Sequence, residues 1–263
     1  MRFYSFLFLM MYCVLYSQSD QLQSEYEVIY KFKMYPDTLS KINPDEEYLS
    51  LLINNNKSLF KSTQKAKTDS IVLAIGKQQF ANPVNGKVML NMEKVPTVKF
   101  KSEVFNDGGK LMVFKELLRN RFSYPLEDPI SWETENETKI IGTFKCKKAV
   151  GNYKGRKYVS WYTEDIPIPD GPYVFKGLPG LVLEVYDTKD YVNFSMVSFK
   201  KVSKPIVPMK DVAPTKYDNF YKARQNYLDN PAGMISNQTG YSLKPSHVAR
   251  INSNAKRSNN FID

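Results

Sequence analysis

The stretch that decides the fold is residues 139–202, KIIGTFKCKKAVGNYKGRKYVSWYTEDIPIPDGPYVFKGLPGLVLEVYDTKDYVNFSMVSFKKV. Within it Lys139–Ala149, Lys157–Glu164, Gly180–Asp187 and Tyr191–Val202 each have the β-branched and aromatic composition of a strand, and connections rich in Gly, Pro, Asn or Asp separate them. Strands that follow one another over short turns pair antiparallel, so the stretch reads as a meander. Working outward, Glu25–Met34 sets Tyr26, Val28, Tyr30, Phe32 and Met34 on one parity against Glu27, Lys31 and Lys33 on the other. That is the period of a half-buried strand, and Pro36-Asp37 ends it. Asp45–Phe60 reads as a strand through Tyr48, Leu49, Leu51, Leu52 and Ile53, a turn at Asn54-Asn55-Asn56-Lys57, and a second strand over Ser58–Ser62. From Thr97 the pattern returns with Phe100, Val104 and Phe105, a turn at Asn106-Asp107-Gly108-Gly109 and a run over Lys110–Leu118, where Asp-Gly is a hairpin signal.

Helix signals in this part are too few for a βαβ fold. The expected architecture is therefore mainly β: a curved antiparallel sheet or partly open β-barrel over residues 19–203, with a C-terminal amphipathic helix. Lys65–Val95 lacks a sustained period, and the reading there is short irregular elements with a helix near Asp69–Ile75. Residues 204–263 open with a linker punctuated by Pro205, Pro208 and Pro214. Tyr217, Phe220, Tyr221, Arg224 and Leu228 then recur at helical spacing. Past Pro231 the polar, Asn- and Ser-rich composition reads as a poorly ordered tail.

The first residues carry a targeting signature. Arg2 precedes an uncharged, largely apolar run over Phe3–Tyr16. A run of roughly 14 residues falls short of the ~20 needed to cross a bilayer as a helix, which favours a signal peptide over residues 1–18. Cys13 offers a second route, acylation as a lipoprotein, but bulky Tyr12 precedes it where such signals want a small residue. Export places the mature chain in the periplasm or at the outer envelope, with no transmembrane segment. Cys146 is then its only cysteine, so an internal disulfide is excluded. The net charge of +10 is carried partly by Lys31, Lys33, Lys99, Lys101, Lys145 and Lys147. These fall on solvent-facing strand positions rather than in one stripe, which argues against nucleic acid and leaves anionic headgroups or polysaccharide as the alternative to a merely solvated face.

Two stretches carry a resemblance. Gly177-Leu178-Pro179-Gly180-Leu181-Val182 follows Gly171-Pro172-Tyr173-Val174-Phe175-Lys176. Upstream lie Lys139-Ile140-Ile141-Gly142, Cys146-Lys147-Lys148-Ala149, Gly155-Arg156, Trp161-Tyr162 and Asp165-Ile166-Pro167. Their order and spacing resemble the GLPGLI family of exported proteins of Gram-negative bacteria, with Val182 in place of the final Ile, over roughly Trp132–Asp187. The resemblance implies export and a β-rich fold. It also implies a genomic setting shared with outer-membrane TonB-dependent-type receptors, and it brings no assigned reaction and no catalytic residues.

Read as chemistry, Leu178-Pro179-Gly180-Leu181 predicts a type II turn, with proline fixing φ and Gly180 taking the positive φ that follows. The loop Gly177, Leu178, Pro179, Gly180 and Leu181 either plugs one end of the sheet or contacts a ligand or partner. Trp132, Tyr158, Trp161, Tyr162 and Tyr173 gather aromatic surface that is either core or the lining of a cavity for a lipid-like molecule. Cys146 shares a parity with Ile140 and Phe144 and is expected to face inward, and His247, the one histidine, makes a poor catalytic partner for it. A single histidine argues against zinc, and Glu164, Asp165 and Asp170 match no calcium loop, so neither metal nor cofactor is expected. No phosphate cradle, nucleophile elbow or His-Glu-x-x-His occurs. The expected function is a periplasmic or envelope-associated binding or accessory protein, its partner an apolar small molecule or an outer-membrane receptor-type protein. The alternative is a hydrolase using Asp165 and Asp170, which a cleft bringing them against Arg156 would favour. Mass spectrometry of the exported protein is expected to find a mature N-terminus between Ser17 and Ser19; a chain starting at an acylated Cys13 would establish the lipoprotein route instead.

Overall fold

The computed structural model describes residues 21–81 and 95–263, so the proposed signal segment, Cys13 and the end of the Lys65–Val95 stretch lie outside the described residues. The chain begins with β1 (Tyr26–Met34), β2 (Asp45–Asn54) and β3 (Lys57–Ser62), followed by helix α1 (Lys65–Ala81). Then come β4 (Glu103–Asp107), β5 (Lys110–Leu117) and β6 (Asn120–Pro125). A second series comprises β7 (Trp132–Ile141), β8 (Phe144–Tyr153), β9 (Arg156–Thr163), β10 (Leu181–Asp187) and β11 (Val192–Lys201). The short β12 (Ala213–Pro214) leads into α2 (Tyr217–Asp229), α3 (Pro231–Thr239) and α4 (Pro245–Arg257).

All strands join one sheet in the order β12-β6-β5-β4-β3-β2-β1-β11-β10-β9-β8-β7. It consists of two antiparallel meanders sewn together where β1 pairs with β11, and among the described residues only β12 on β6 runs parallel. The fold is thus mainly β, a large mixed sheet that ends in two edges without closing into a barrel, with helices at its C-terminal side. Its curvature follows from a reach argument. Arg156 on β9 donates to Asn260 Oδ1 while Lys115 on β5 donates to Asp263 Oδ1. β5 and β9 are seven strand spacings apart, or ~34 Å on a flat sheet. The four residues Asn260–Asp263 span at most ~14 Å, so even with long side chains the sheet must bend to bring those strands together.

The bend encloses an aromatic core. Val28, Tyr30 and Phe32 of β1 are fully buried on the inward parity, as the alternation predicts. Phe100, in the connection before β4, meets Phe32, Phe60, Tyr173 and Phe194 edge-on at ring centroid distances of 5.0, 5.7, 5.6 and 6.0 Å. Each buried Phe contributes roughly 2–3 kcal/mol of transfer free energy, with edge-to-face geometry adding to it. That connection is held by Glu47 near the start of β2, whose Oε2 accepts the backbone N–H groups of Lys99 and Phe100 at 2.7 and 3.0 Å.

Several local readings are corrected. Lys139–Ala149 is not one strand: Gly142, at φ 59°, reverses the chain between β7 and β8. Cys146 is fully buried as expected, yet Ile140 sits across the hairpin and is 67% exposed, so the two share no face. The helix in the Lys65 region is longer than Asp69–Ile75, running over Lys65–Ala81. Past Pro231 the chain forms α3 and α4 rather than a disordered tail. Proline opens each at a position that needs no N–H, Asn230 caps the first through Gly233 N at 3.0 Å, and left-handed Gly240 ends it.

The Pro179-Gly180 turn is also not type II. Gly180 N–H bonds back to Leu178 O at 2.8 Å, and Leu181 N–H goes across to Ile166 O at 3.0 Å. Gly180 lies at φ 156°, and its real constraint is space: a Cβ there would stand 2.0 Å from Thr163 O. Gly142 has open space around its missing Cβ. Gly180→Ala is therefore expected to lower the urea-unfolding free energy by about 3 kcal/mol. Gly142→Ala, limited to left-handed strain, is expected to cost only about 1 kcal/mol.

Candidate functional site

Between β9 and β10 the chain does not turn directly but makes an excursion over residues 164–180 across the core side of the sheet. Backbone bonds Ile168 N to Ile166 O and Asp170 N to Ile168 O, at 2.8 and 2.7 Å, coil the Ile-Pro-Ile-Pro run tightly. Asp170 and Lys176 then form a buried ion pair, Lys176 Nζ also donates to Gly171 O at 2.9 Å, and Gly171 N–H donates to Asp170 Oδ1 at 2.7 Å. Trp132 Nε1 donates to Lys176 O at 2.9 Å, which ties the excursion to β7. Tyr30 OH donates to Val182 O at 2.7 Å, and burial together with the Asp170 charge pushes that phenol well above its usual range.

Inside this clamp Tyr173 is held at φ 52°, a left-handed conformation that is costly for a bulky side chain. The strain aims its ring into the core and its hydroxyl at Asp263. Asp263 is the centre of a buried polar cluster drawn from four elements. Its carboxylate accepts from Lys115 Nζ of β5 and Tyr124 OH of β6, both at 2.8 Å, and from Tyr173 OH at 3.0 Å. Arg224 of α2 approaches it at 3.5 Å and donates to the Asp263 main-chain oxygen at 2.6 Å. Burial alone would raise the Asp263 carboxyl, but the Lys115 and Arg224 charges and the Tyr124 hydroxyl outweigh it and hold it down at about 2. Burial pushes the Lys115 ammonium down, with Asp263 opposing. Lys115 also lies 5.0 Å from the Tyr173 ring centre.

The cluster forms part of the wall of a cavity of about 510 Å³ between the sheet and the C-terminal helices. Met34, Leu117, Phe220, Leu228, Ile235 and Ile251 supply its apolar lining, and Lys115 and Arg224 its cationic part. A second cleft, of about 450 Å³, lies beside the motif, where Gly177, Asp170 and Lys176 face Asn55 and Asn56 of the β2–β3 turn and Asn106 of β4. Of the motif loop, Gly177 and Pro179 are exposed while Leu178, Gly180 and Leu181 are buried, and only Gly177 borders that cleft. Tyr158, Trp161, Tyr162 and Tyr173 are packed in the interior with Trp132 half-buried against them, and none of the five lines either cavity. Tyr158 stacks obliquely on Phe175 at 4.6 Å.

The remaining candidates are dispersed. Asp165 is exposed, Asp170 is engaged by Lys176, and Arg156 turns instead to buried Asp187 at 3.3 Å. Glu164 pairs with Lys147 at 2.8 Å. Burial raises the Cys146 thiol to about 11, and His247 is exposed on α4. Among the described residues, no three His, Cys, Asp or Glu side chains gather as a metal site, and no helix is long and apolar enough to cross a membrane. Lys115, Tyr124 and Asp263 were not singled out by the sequence, and Arg224 was read only as part of a helical face. Two signals were available: Lys115 shares the inward parity of Val113, and Arg224 falls on the apolar stripe of the helix with Phe220.

Over residues 152–184 the chain matches the model of an uncharacterised family, described as a protein of unknown function (Porph_ging). No curated protein matches it. Among solved structures it is similar to PNGF-II in a P21 crystal form, at 16% identity and a TM-score of 0.50, covering 76% of this chain and 32% of that one. A C2 crystal form of PNGF-II matches over the same shares at 16% identity and a TM-score of 0.48. The chain thus spans about a third of that protein's length, and the likeness is one of fold.

The depressed Asp263 carboxyl sets a pH dependence. The folded chain binds this proton less readily than the unfolded one, so the stabilisation is complete above about pH 4 and lost as pH falls toward 2. Its size is on the order of 2 kcal/mol. Asp263→Asn is expected to remove that part of the slope from acid-unfolding curves followed by circular dichroism, and to be less stable than the parent at neutral pH.

Proposed function

We propose that this chain is an exported, periplasmic or envelope-associated binding protein that holds a small apolar molecule in the cavity between its sheet and its C-terminal helices. The observation that carries the reading is the cavity itself. At about 510 Å³ it has the size of a small-molecule site, with mostly apolar walls and a few buried polar groups gathered at one part. The signal-like segment over residues 1–18 supports export, as does the resemblance of Gly177–Val182 and its flanks to the GLPGLI family. The motif's contribution under this reading is indirect. Its excursion clamps Tyr173, and Tyr173 helps fix Asp263, Lys115 and thereby the cavity wall.

Native mass spectrometry of the protein purified from its own compartment is expected to show a fraction carrying a non-covalent small-molecule adduct. A bare protein that also fails to enhance the fluorescence of an added apolar dye would overturn the reading.

A further inference from the structure

The reading of the cavity as a ligand site leaves open which molecules it selects, and the groups on its wall answer that. Its carboxylates are already engaged: Asp45 by Lys99 at 2.7 Å, and Glu116 by Lys65 at 2.8 Å and Arg121 at 3.2 Å. Two donors are not. Lys101 is exposed on the rim and makes no ion pair among the described residues. Arg224 is only 6% exposed, and although its terminal nitrogens engage Asp263, its Nε–H is buried without a hydrogen-bond partner among the described residues. A buried, charged N–H left unpaired is costly, and an acceptor that reaches it recovers that cost. The same guanidinium carbon lies 4.3 Å from the centre of the Phe261 ring, a cation–π contact that helps hold it in place. The interior already accommodates one carboxylate, that of Asp263, on hydroxyl and cationic donors.

We propose that the ligand is an amphipathic anion: an aliphatic or aromatic carboxylic acid whose apolar body lies against Leu228, Ile235 and Ile251 and whose head group takes the donors of Arg224 and Lys101. This rests on the proposed function of the same cavity. Neutral apolar molecules fit the walls but leave both donors unmatched, and a cationic head group meets the unpaired like charge of Lys101, since Lys115 and Arg224 are already paired with Asp263.

Isothermal titration calorimetry of the purified chain with decanoate, decanol and decyltrimethylammonium, each below its micelle concentration at neutral pH, separates the possibilities. Decanoate is expected to bind at least about tenfold more tightly than decanol, as charge-assisted hydrogen bonding requires, and the cation most weakly. Lys101→Glu, a change at an exposed rim position, is expected to abolish the preference for the acid while leaving decanol affinity within about twofold. Ile235→Trp with Ile251→Trp narrows the apolar part and is expected to weaken both ligands by about tenfold or more. Equal binding of decanoate and decanol would overturn the anion preference and leave the apolar site standing. Failure of all three ligands to bind would overturn both, as would binding that the paired tryptophan variant, shown folded by circular dichroism, leaves unchanged.

Discussion

The pairing of β1 with β11 is the contact on which the rest depends. β1 is hydrogen-bonded on one side to β2, its neighbour in sequence, and on the other to a strand that the chain reaches only after completing both meanders. Without that seam there would be two smaller sheets, each with one apolar face exposed. With it, Phe32 and Phe60 from the first meander meet Phe194 from the second, and the sheet bends around them. The register shift between Ile29 and Tyr30 falls within this seam, and bulges of this kind increase local twist and bending. Curvature, core and seam are thus one requirement seen three ways.

The bend also creates the conditions for buried charge. Strands that are distant in sheet order are brought within reach of a few residues, so Lys115, Tyr124, Tyr173 and Arg224 converge on Asp263 from four parts of the chain. Such a cluster gains little net stability over an apolar equivalent, since desolvation offsets most of the attraction. It does fix geometry, because removing any one member leaves another unpaired. The strained Tyr173 backbone is kept in place by this arrangement and by the Asp170–Lys176 clamp.

How far the sequence could be read depended on the range of the determining interaction. The parity of β1, the β2–β3 reversal at Asn55 and the Asp107-Gly108 hairpin were legible because each is set within a few residues. Gly142 was overlooked because strand-like residues flank it on both sides and hide a two-residue reversal. Gly180 was recognised as necessary for the wrong reason: the obstacle is the carbonyl of Thr163, which only the folded sheet brings near. The helices after Pro231 were missed because their many Asn and Ser residues read as loop composition and hid the apolar positions, such as half-buried Ile235 and Ile251, that pack them against other elements. Of the cluster now central to the site, Lys115 and Asp263 stand 148 residues apart, a separation that no local pattern encodes.

A sheet that does not close keeps a free backbone at each border, and at one border that backbone belongs to β7. Glu133, Glu135 and Glu137 are all exposed along it, and Lys148 from the adjacent strand draws two of them into ion pairs. Two copies approaching border to border would set these rows of like charge against each other, and the register break between Glu135 and Thr138 interrupts the straight ladder that a docking strand needs. The same glutamates that add nothing to the core therefore disfavour strand addition along this open border.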